Sequence, residues 1–246
     1  GQAAARLSIG TLHLATGRYD SALAAFTAAR EGCRQAGWMA GEVAAVANIG
    51  NVHFECDRLD EAADHYAAAL SINRRNGFRT GEAGQLANLA LVQGIRGQLR
   101  LSADNLAAAL ALHREIGSRV SEARNLANLG AAYHRLGRLG EATEALTRAL
   151  AMHRELGDRR TEGSTMAHLA GVYRDSGRLA EALELAQGAL ARTAGSGDRA
   201  YDRAEAVLAL AAVQRVRDRV GRPPTDTARL SRWPARWATA TWRPAR

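Results

Sequence analysis

Across 246 residues, alanine, leucine, glycine and arginine dominate, aromatics make up 5% and prolines number four, a composition that suits closely stacked helices and suits a sheet poorly. The formal charge of +8 comes from arginine without a single lysine, which excludes a P-loop, a Schiff base and a catalytic ammonium. Eight of the 33 arginines lie in 217–246 against Asp218 and Asp226, so 1–216 is nearly balanced and its charge does not point to nucleic acid.

No apolar run approaches the ~20 residues that span a bilayer, and the N-terminus has no basic region followed by an apolar one. The absence of an initiating methionine leads to the expectation of a segment from a longer chain. Cys33 and Cys56 are the only cysteines and are not in CxxC spacing, so two buried or half-buried thiols of a reduced, cytoplasmic compartment are expected.

The chain repeats every forty residues. Gly37, Gly77, Gly117, Gly157 and Gly197 keep that step, as do Arg79, Arg119, Arg159 and Arg199. Glu42, Glu82, Glu122 and Glu162 follow it, with Asp202 continuing, and so do Ala22, Ala62, Ala142 and Ala182, with Ser102 in the third place. The units are therefore 1–37, 38–77, 78–117, 118–157, 158–197 and a partial sixth, 198–217.

Each unit reads as two helices. In the first and second, His13 and His53 stand where Tyr133 and Tyr173 stand later, which predicts packing at the edge of a core rather than metal binding. The third is the least regular, with Gln93 in that place and Ser102 for alanine. The fourth is the clearest: one helix over Val120–Leu136, a second over Leu139–Leu156, and Gly137 between them, free to take the left-handed conformation that ends a helix. Gly117 and Gly157 end second helices in the same way. Leu126, Leu129, Gly130 and Tyr133 fall on one face of the first helix, and Ala142, Leu146, Ala149 and Leu150 on one face of the second. Small residues at Gly130 and Ala142 allow close approach. The recurring acid sits in the first turn of each first helix, at the positive end of its macrodipole, while Arg114 and Arg154 lie near the negative ends. His113 and His153, beside those arginines, are expected on a solvated face. The fifth unit closes on "AGSGD", where Ser196 lacks the strand–turn–helix setting of a nucleophile. A sixth first helix is expected over Tyr201–Arg217. Beyond it, 218–246 should be an irregular tail, because Pro223 and Pro224 block a helix and Pro234 and Pro244 interrupt the remainder. Trp233, Trp237 and Trp242 among its arginines suit anionic lipid or single-stranded nucleic acid, against a bland reading as a poorly packed extension or a makeshift cap.

The stretch "ANLGAAYHRLGRLGEATEALTRAL" resembles the tetratricopeptide repeat family, with its Leu-Gly, Tyr, Ala and Ala landmarks at Leu129, Gly130, Tyr133, Ala142 and Ala149. The resemblance covers about 1–217 and is to a forty-residue branch with longer second helices and no closing proline. It implies an all-α fold, a right-handed α-α superhelix of five helix pairs plus a further helix, with first helices lining a concave side.

One polar position recurs on those first helices. Asn48, Asn88 and Asn128 fall in register, with His168 as the departure. At 100° per residue Asn128 lies nearly opposite the core face, on a stripe with Arg124, Ala131 and Arg135. The matching stripes are Ala44, Asn48, Asn51 and Glu55; Gly84, Asn88, Leu91 and Ile95; and Ser164, His168, Gly171 and Asp175. In the resembled family amides at this place contact bound peptide, which implicates Asn48, Asn88 and Asn128 here. An asparagine carries a donor and an acceptor and so matches both groups of a peptide unit; the alternative is a solvated amide bonded within the stack. Arg124 and Arg135 suit a carboxylate, or else pair with acids of the next repeat. Leu91 and Ile95 offer a docking patch for an apolar side chain, or else are covered by the superhelix itself.

The expected function is non-enzymatic: binding of an extended peptide or partner segment, without metal or cofactor. "ALHREIGSR" and "AMHRELGDR" also resemble C-terminal sensor regions of actinobacterial regulators, the antibiotic regulatory (SARP) transcription factors and STAND-class signalling NTPases. That resemblance implies a ligand sensor, or a brake on an effector domain of the same longer chain. The other readings are association with nucleic acid or membrane through the tail, and a self-associating scaffold.

Overall fold

A computed structural model of the chain describes residues 1–193 and 200–221, and within them eleven α-helices and no strand. They are α1 (Gln2–Ala15), α2 (Tyr19–Gln35), α3 (Met39–Glu55), α4 (Leu59–Asn76), α5 (Arg79–Ile95), α6 (Leu99–Glu115), α7 (Arg119–Arg135), α8 (Leu139–Glu155), α9 (Arg159–Asp175), α10 (Leu179–Thr193) and α11 (Ala200–Gly221). The helices of the fourth unit lie within one residue of their expected ends. The last helix is described as far as Gly221, beyond Arg217. The remaining tail, with its three tryptophans, and Ser196 lie outside the described residues.

The turns follow from backbone chemistry. After α7 the Arg138 N–H donates to the Tyr133 carbonyl and the Gly137 N–H to the His134 carbonyl, both at 2.9 Å, with Gly137 at φ 75°. This pair of bonds consumes two carbonyls that the helix end would leave bare. At the same place after α3 stands Asp57, at φ 58°, the one non-glycine with positive φ among the described residues.

Each hairpin closes over a small residue. A Cβ on Gly130 would lie 2.6 Å from Leu146 Cγ, and one on Gly50 would lie 2.8 Å from Tyr66 Cε1. The residue facing Gly130 is thus Leu146, with Ala142 buried beside it. In the third unit Ser102 is buried and its hydroxyl donates to the Ala90 carbonyl at 2.7 Å, so the serine is satisfied inside the core. Neighbouring units share their apolar faces: one cluster runs from Ala90 on α5 to Ala206 on α11.

Charged pairs tie successive units together. Arg74–Glu82, Arg114–Glu122 and Arg154–Glu162 each measure 2.9 Å and join the end of an even-numbered helix to the first turn of the next odd one. The recurring glutamate therefore does more than face a helix dipole. The same junctions correct the expectation for His113 and His153. Both are buried, His153 to 1% exposure, because the next unit's first helix covers the helix end that a lone hairpin would leave in water. The His153 Nδ1 lies 3.0 Å from Thr161 Oγ1. Burial lowers the His113 and His153 pKa values.

Three pairs of successive odd-numbered helices pack directly on each other (α1 on α3, α7 on α9, α9 on α11), whereas among the described residues no even-numbered helix packs comparably on the next even one. The helix pairs stack in chain order as a solenoid.

Candidate functional site

The recurring stripe is carried by α3, α5, α7 and α9. Rigid helices hold it, and each stripe is set by the face its own helix buries.

Asn48, Asn88 and Asn128 are half-buried and stand at matching places on α3, α5 and α7. The Asn88 and Asn128 side chains make no hydrogen bond among the described residues, so both ends of each side-chain amide are unspent. Asn48 and Asn51 behave differently. The Tyr66 hydroxyl of α4 donates to Asn51 Oδ1 at 2.9 Å, and Asn51 Nδ2 donates to Asn48 Oδ1 at 3.1 Å. Asn51 is thereby turned towards its own unit, and Asn48 keeps its N–H donors and one oxygen lone pair for anything outside. Burial, with the Glu55 charge adding to it, pushes the Tyr66 phenol pKa up, so it remains a donor.

The arginines divide likewise. Arg135 Nη1 donates to the Gly94 carbonyl at 2.8 Å, in the last turn of α5, where exposed carbonyls favour a cation. That bond spends part of the guanidinium on the preceding unit, an interaction with backbone rather than with the acid that sequence reasoning weighed. Arg124 is exposed and has no ion pair among the described residues. Eleven residues separate the two, about 16 Å along the axis, so they cannot grip one carboxylate together. Leu91 is 44% exposed and Ile95 56%, an apolar patch flanked by Asn88.

His168 and Gly171 line a cavity of about 360 Å³ whose other walls include His134, Arg174, Leu208 and Arg215. It lies where α7, α9 and α11 meet. His134 Nε2 is 2.7 Å from Asp175 Oδ2, and Arg174 holds both oxygens of that carboxylate at 2.7 and 2.9 Å. The Arg174 bonds, aided by His134, keep the Asp175 carboxyl below its usual pKa range. Sequence reasoning named His168 and Asp175 but missed His134, Arg174 and Arg215. Their signal is a spacing of forty-one, which joins 94 to 135 and 134 to 175 by hydrogen bonds and sets 174 and 215 on one cavity, across successive odd helices. Among the described residues no group of three or more His, Cys, Asp or Glu side chains is placed to hold a metal ion, and no helix is long and apolar enough to cross a membrane. Cys33 is buried and Cys56 half-buried, both as free thiols.

The repeat geometry can be set beside known proteins. One tetratricopeptide repeat sequence model matches 82–155, and a second matches 44–76 and 163–194, together more than half of the chain. The chain belongs to the tetratricopeptide repeat family. A comparison with curated protein sequences finds no match. Among solved structures, the tetratricopeptide repeat fold of this chain is similar to BtubC from P. vanneervenii, at TM-score 0.64 and 19% identity over 88% of this chain and 80% of that one. It is similar to a STAND-class signal transduction ATPase with a tetratricopeptide repeat sensor from Pyrococcus horikoshii, at TM-score 0.71 and 18% identity over 87% of this chain and 33% of that one. A Rap protein complexed with competence and sporulation factor matches at TM-score 0.66 and 16% identity, over 85% and 64% of the respective chains. At these identities the likeness is one of fold.

Proposed function

We propose that the chain is a protein-interaction module that binds an extended peptide or partner segment along its odd-helix wall, without catalysing a reaction. The observation that carries this reading is the pair of unspent amides, Asn88 and Asn128, one repeat apart on the odd-helix wall with the exposed Leu91 and Ile95 beside them. An amide that donates and accepts pairs with a peptide unit, and the apolar patch receives a side chain. Arg124 meets an acidic group of the bound segment. Rigid, already folded walls keep the ordering cost of binding low.

The further reading, a sensor or regulatory part of a larger transcriptional or signalling regulator, is supported by two structural neighbours. The repeats of the archaeal ATPase are described as a sensor, and the Rap protein is seen with a bound factor.

The test is a random-peptide display selection on the intact chain, followed by affinity measurement of the selected peptides. Changing Asn48, Asn88 and Asn128 together to alanine should weaken binding at least about tenfold, equivalent to ~1.4 kcal/mol, while the unfolding midpoint stays within experimental scatter. Undiminished affinity in that variant would remove the reading.

A further inference from the structure

Successive odd helices meet at a spacing of forty-one residues, and two of these junctions close on a complementary pair. Between α5 and α7 the Arg135 Nη1 donates to the Gly94 carbonyl at 2.8 Å. Between α7 and α9 His134 Nε2 bonds Asp175 Oδ2 at 2.7 Å. Between α9 and α11 the same places hold Arg174 and Arg215, two guanidiniums that can only donate. The two arginines share a pair of cavities, the one of about 360 Å³ beside His134 and His168 and a smaller one of about 200 Å³ beside Val216.

Like charges on one cavity repel, so this junction calls for an anion where the other two supply their own acceptor. Asp175 answers only part of the charge. Arg174 spends Nε and Nη2 on that carboxylate at 2.7 and 2.9 Å, and His134 takes one of its oxygens as well, which leaves Arg174 Nη1 over. Arg215 is exposed and makes no hydrogen bond or ion pair among the described residues. No acidic side chain lines either cavity. One unit earlier Gly94, Asn128 and His134 stand at the places of His134, His168 and Arg174, so the basic wall departs from the repeat rather than following from it. Gly171 makes room on that wall: a Cβ there would lie 3.1 Å from His134 Cε1.

We propose that the α9–α11 junction is a binding site for a phosphate group, carried on a side chain of the bound segment. Its oxygens accept from the Arg215 fork and from Arg174 Nη1, with His134 and His168 on the remaining wall. Donors from two helices suit the three terminal oxygens of a phosphate, whereas a flat carboxylate is served by a single fork, as Asp175 is by Arg174. A phosphate monoester carries about −1.5 to −2 charges at neutral pH, and two guanidiniums attract it more strongly than they attract a second carboxylate. Leu208, 66% exposed, lies with Ala209 and Ala212 on the same cavity and gives the stem of the side chain an apolar surface.

Assignment of the phosphate to a residue of the bound segment rests on the proposed groove; the phosphate site itself does not. Its test is a nuclear magnetic resonance titration of the intact chain with N-acetyl-phosphoserine N-methylamide, with its glutamate and serine counterparts, and with inorganic phosphate. The phosphoserine probe should shift the side-chain N–H signals of Arg174 and Arg215 and the Gly171 amide, saturably, and the serine probe should leave them in place. The phosphoserine Kd should be at least about tenfold below that of the glutamate probe. Arg215→Gln should weaken phosphoserine binding at least about tenfold without moving the unfolding midpoint, because the side chain is exposed. Arg217→Gln removes the same charge from another face of α11 and should change binding by less than about twofold. Equal weakening by both variants, equal binding of the glutamate probe, or no saturable shift with phosphoserine overturns the proposal in favour of two solvated arginines. Inorganic phosphate should compete for the same signals more weakly, since it leaves the Leu208 surface bare; equal affinity would assign the site to free phosphate and overturn the peptide side chain. Retained phosphoserine binding alongside unaltered peptide affinity in the triple asparagine variant would instead sink the groove reading and leave the phosphate site standing.

Discussion

Replacing Gly130 with alanine tests the closeness of α7 and α8, on which the placement of the stripe depends. The new Cβ would lie 2.6 Å from Leu146 Cγ and 3.2 Å from the Leu146 amide nitrogen. Ordinary carbon–carbon contact needs ~3.5–4.0 Å, so about 1 Å must be found. Leu146 is fully buried, and the atoms in the way are its branch point and backbone rather than a mobile tip. Relief therefore requires the two helices to part, an overpacking cost of about 1–3 kcal/mol. Against it stands the intrinsic helix gain of alanine over glycine, about 1 kcal/mol. Gly140 on α8 supplies the control, because nothing lies within 4 Å of its Cβ. Gly140→Ala should raise stability by about 0.4–1 kcal/mol. The difference between the two variants isolates the overlap: Gly130→Ala should be the less stable by about 1–3 kcal/mol. Urea unfolding followed by circular dichroism at 222 nm, with both variants under identical conditions, reads this as a shift in midpoint. A Gly130→Ala chain as stable as Gly140→Ala would refute the close packing.

Three other perturbations have signed outcomes. Glu162 is 3% exposed and bonds Arg154 and Arg192 at once, so Glu162→Gln should destabilise by about 1–3 kcal/mol in urea unfolding. Arg79→Ala, which breaks the solvent-exposed pair with Glu115, should cost under ~1 kcal/mol. The folded-state pKa of His153 is lowered from 6.5, chiefly by burial. The unfolded chain then binds more protons in acid, so stability should decline as pH falls through 6.5 towards the folded value, and hold above it. His153→Gln should flatten the slope of unfolding midpoint against pH between about 7 and 5; an unchanged slope would refute the assignment.

The helices and their order were legible because a forty-residue period repeats every cue: the helix-ending glycine, the first-turn glutamate and the apolar face. The turn glycines needed only their place after an apolar run. What escaped was decided between units. His113 and His153 read as solvated because a single hairpin leaves its second helix's end in water, and only stacking covers it. Asn51 and Arg135 sit on the expected stripe, yet Tyr66 and the Gly94 carbonyl engage them across helix boundaries that spacing along one helix does not reveal.

The central claim is that the odd-helix wall receives the partner. Backbone amide shifts of the intact chain, recorded as a display-selected peptide is added, test it most directly. The account predicts that saturable changes concentrate on α3, α5, α7 and α9, around Asn48, Leu91, Asn128 and His168. Changes confined to α4, α6 and α8 would place binding on the opposite wall and contradict it.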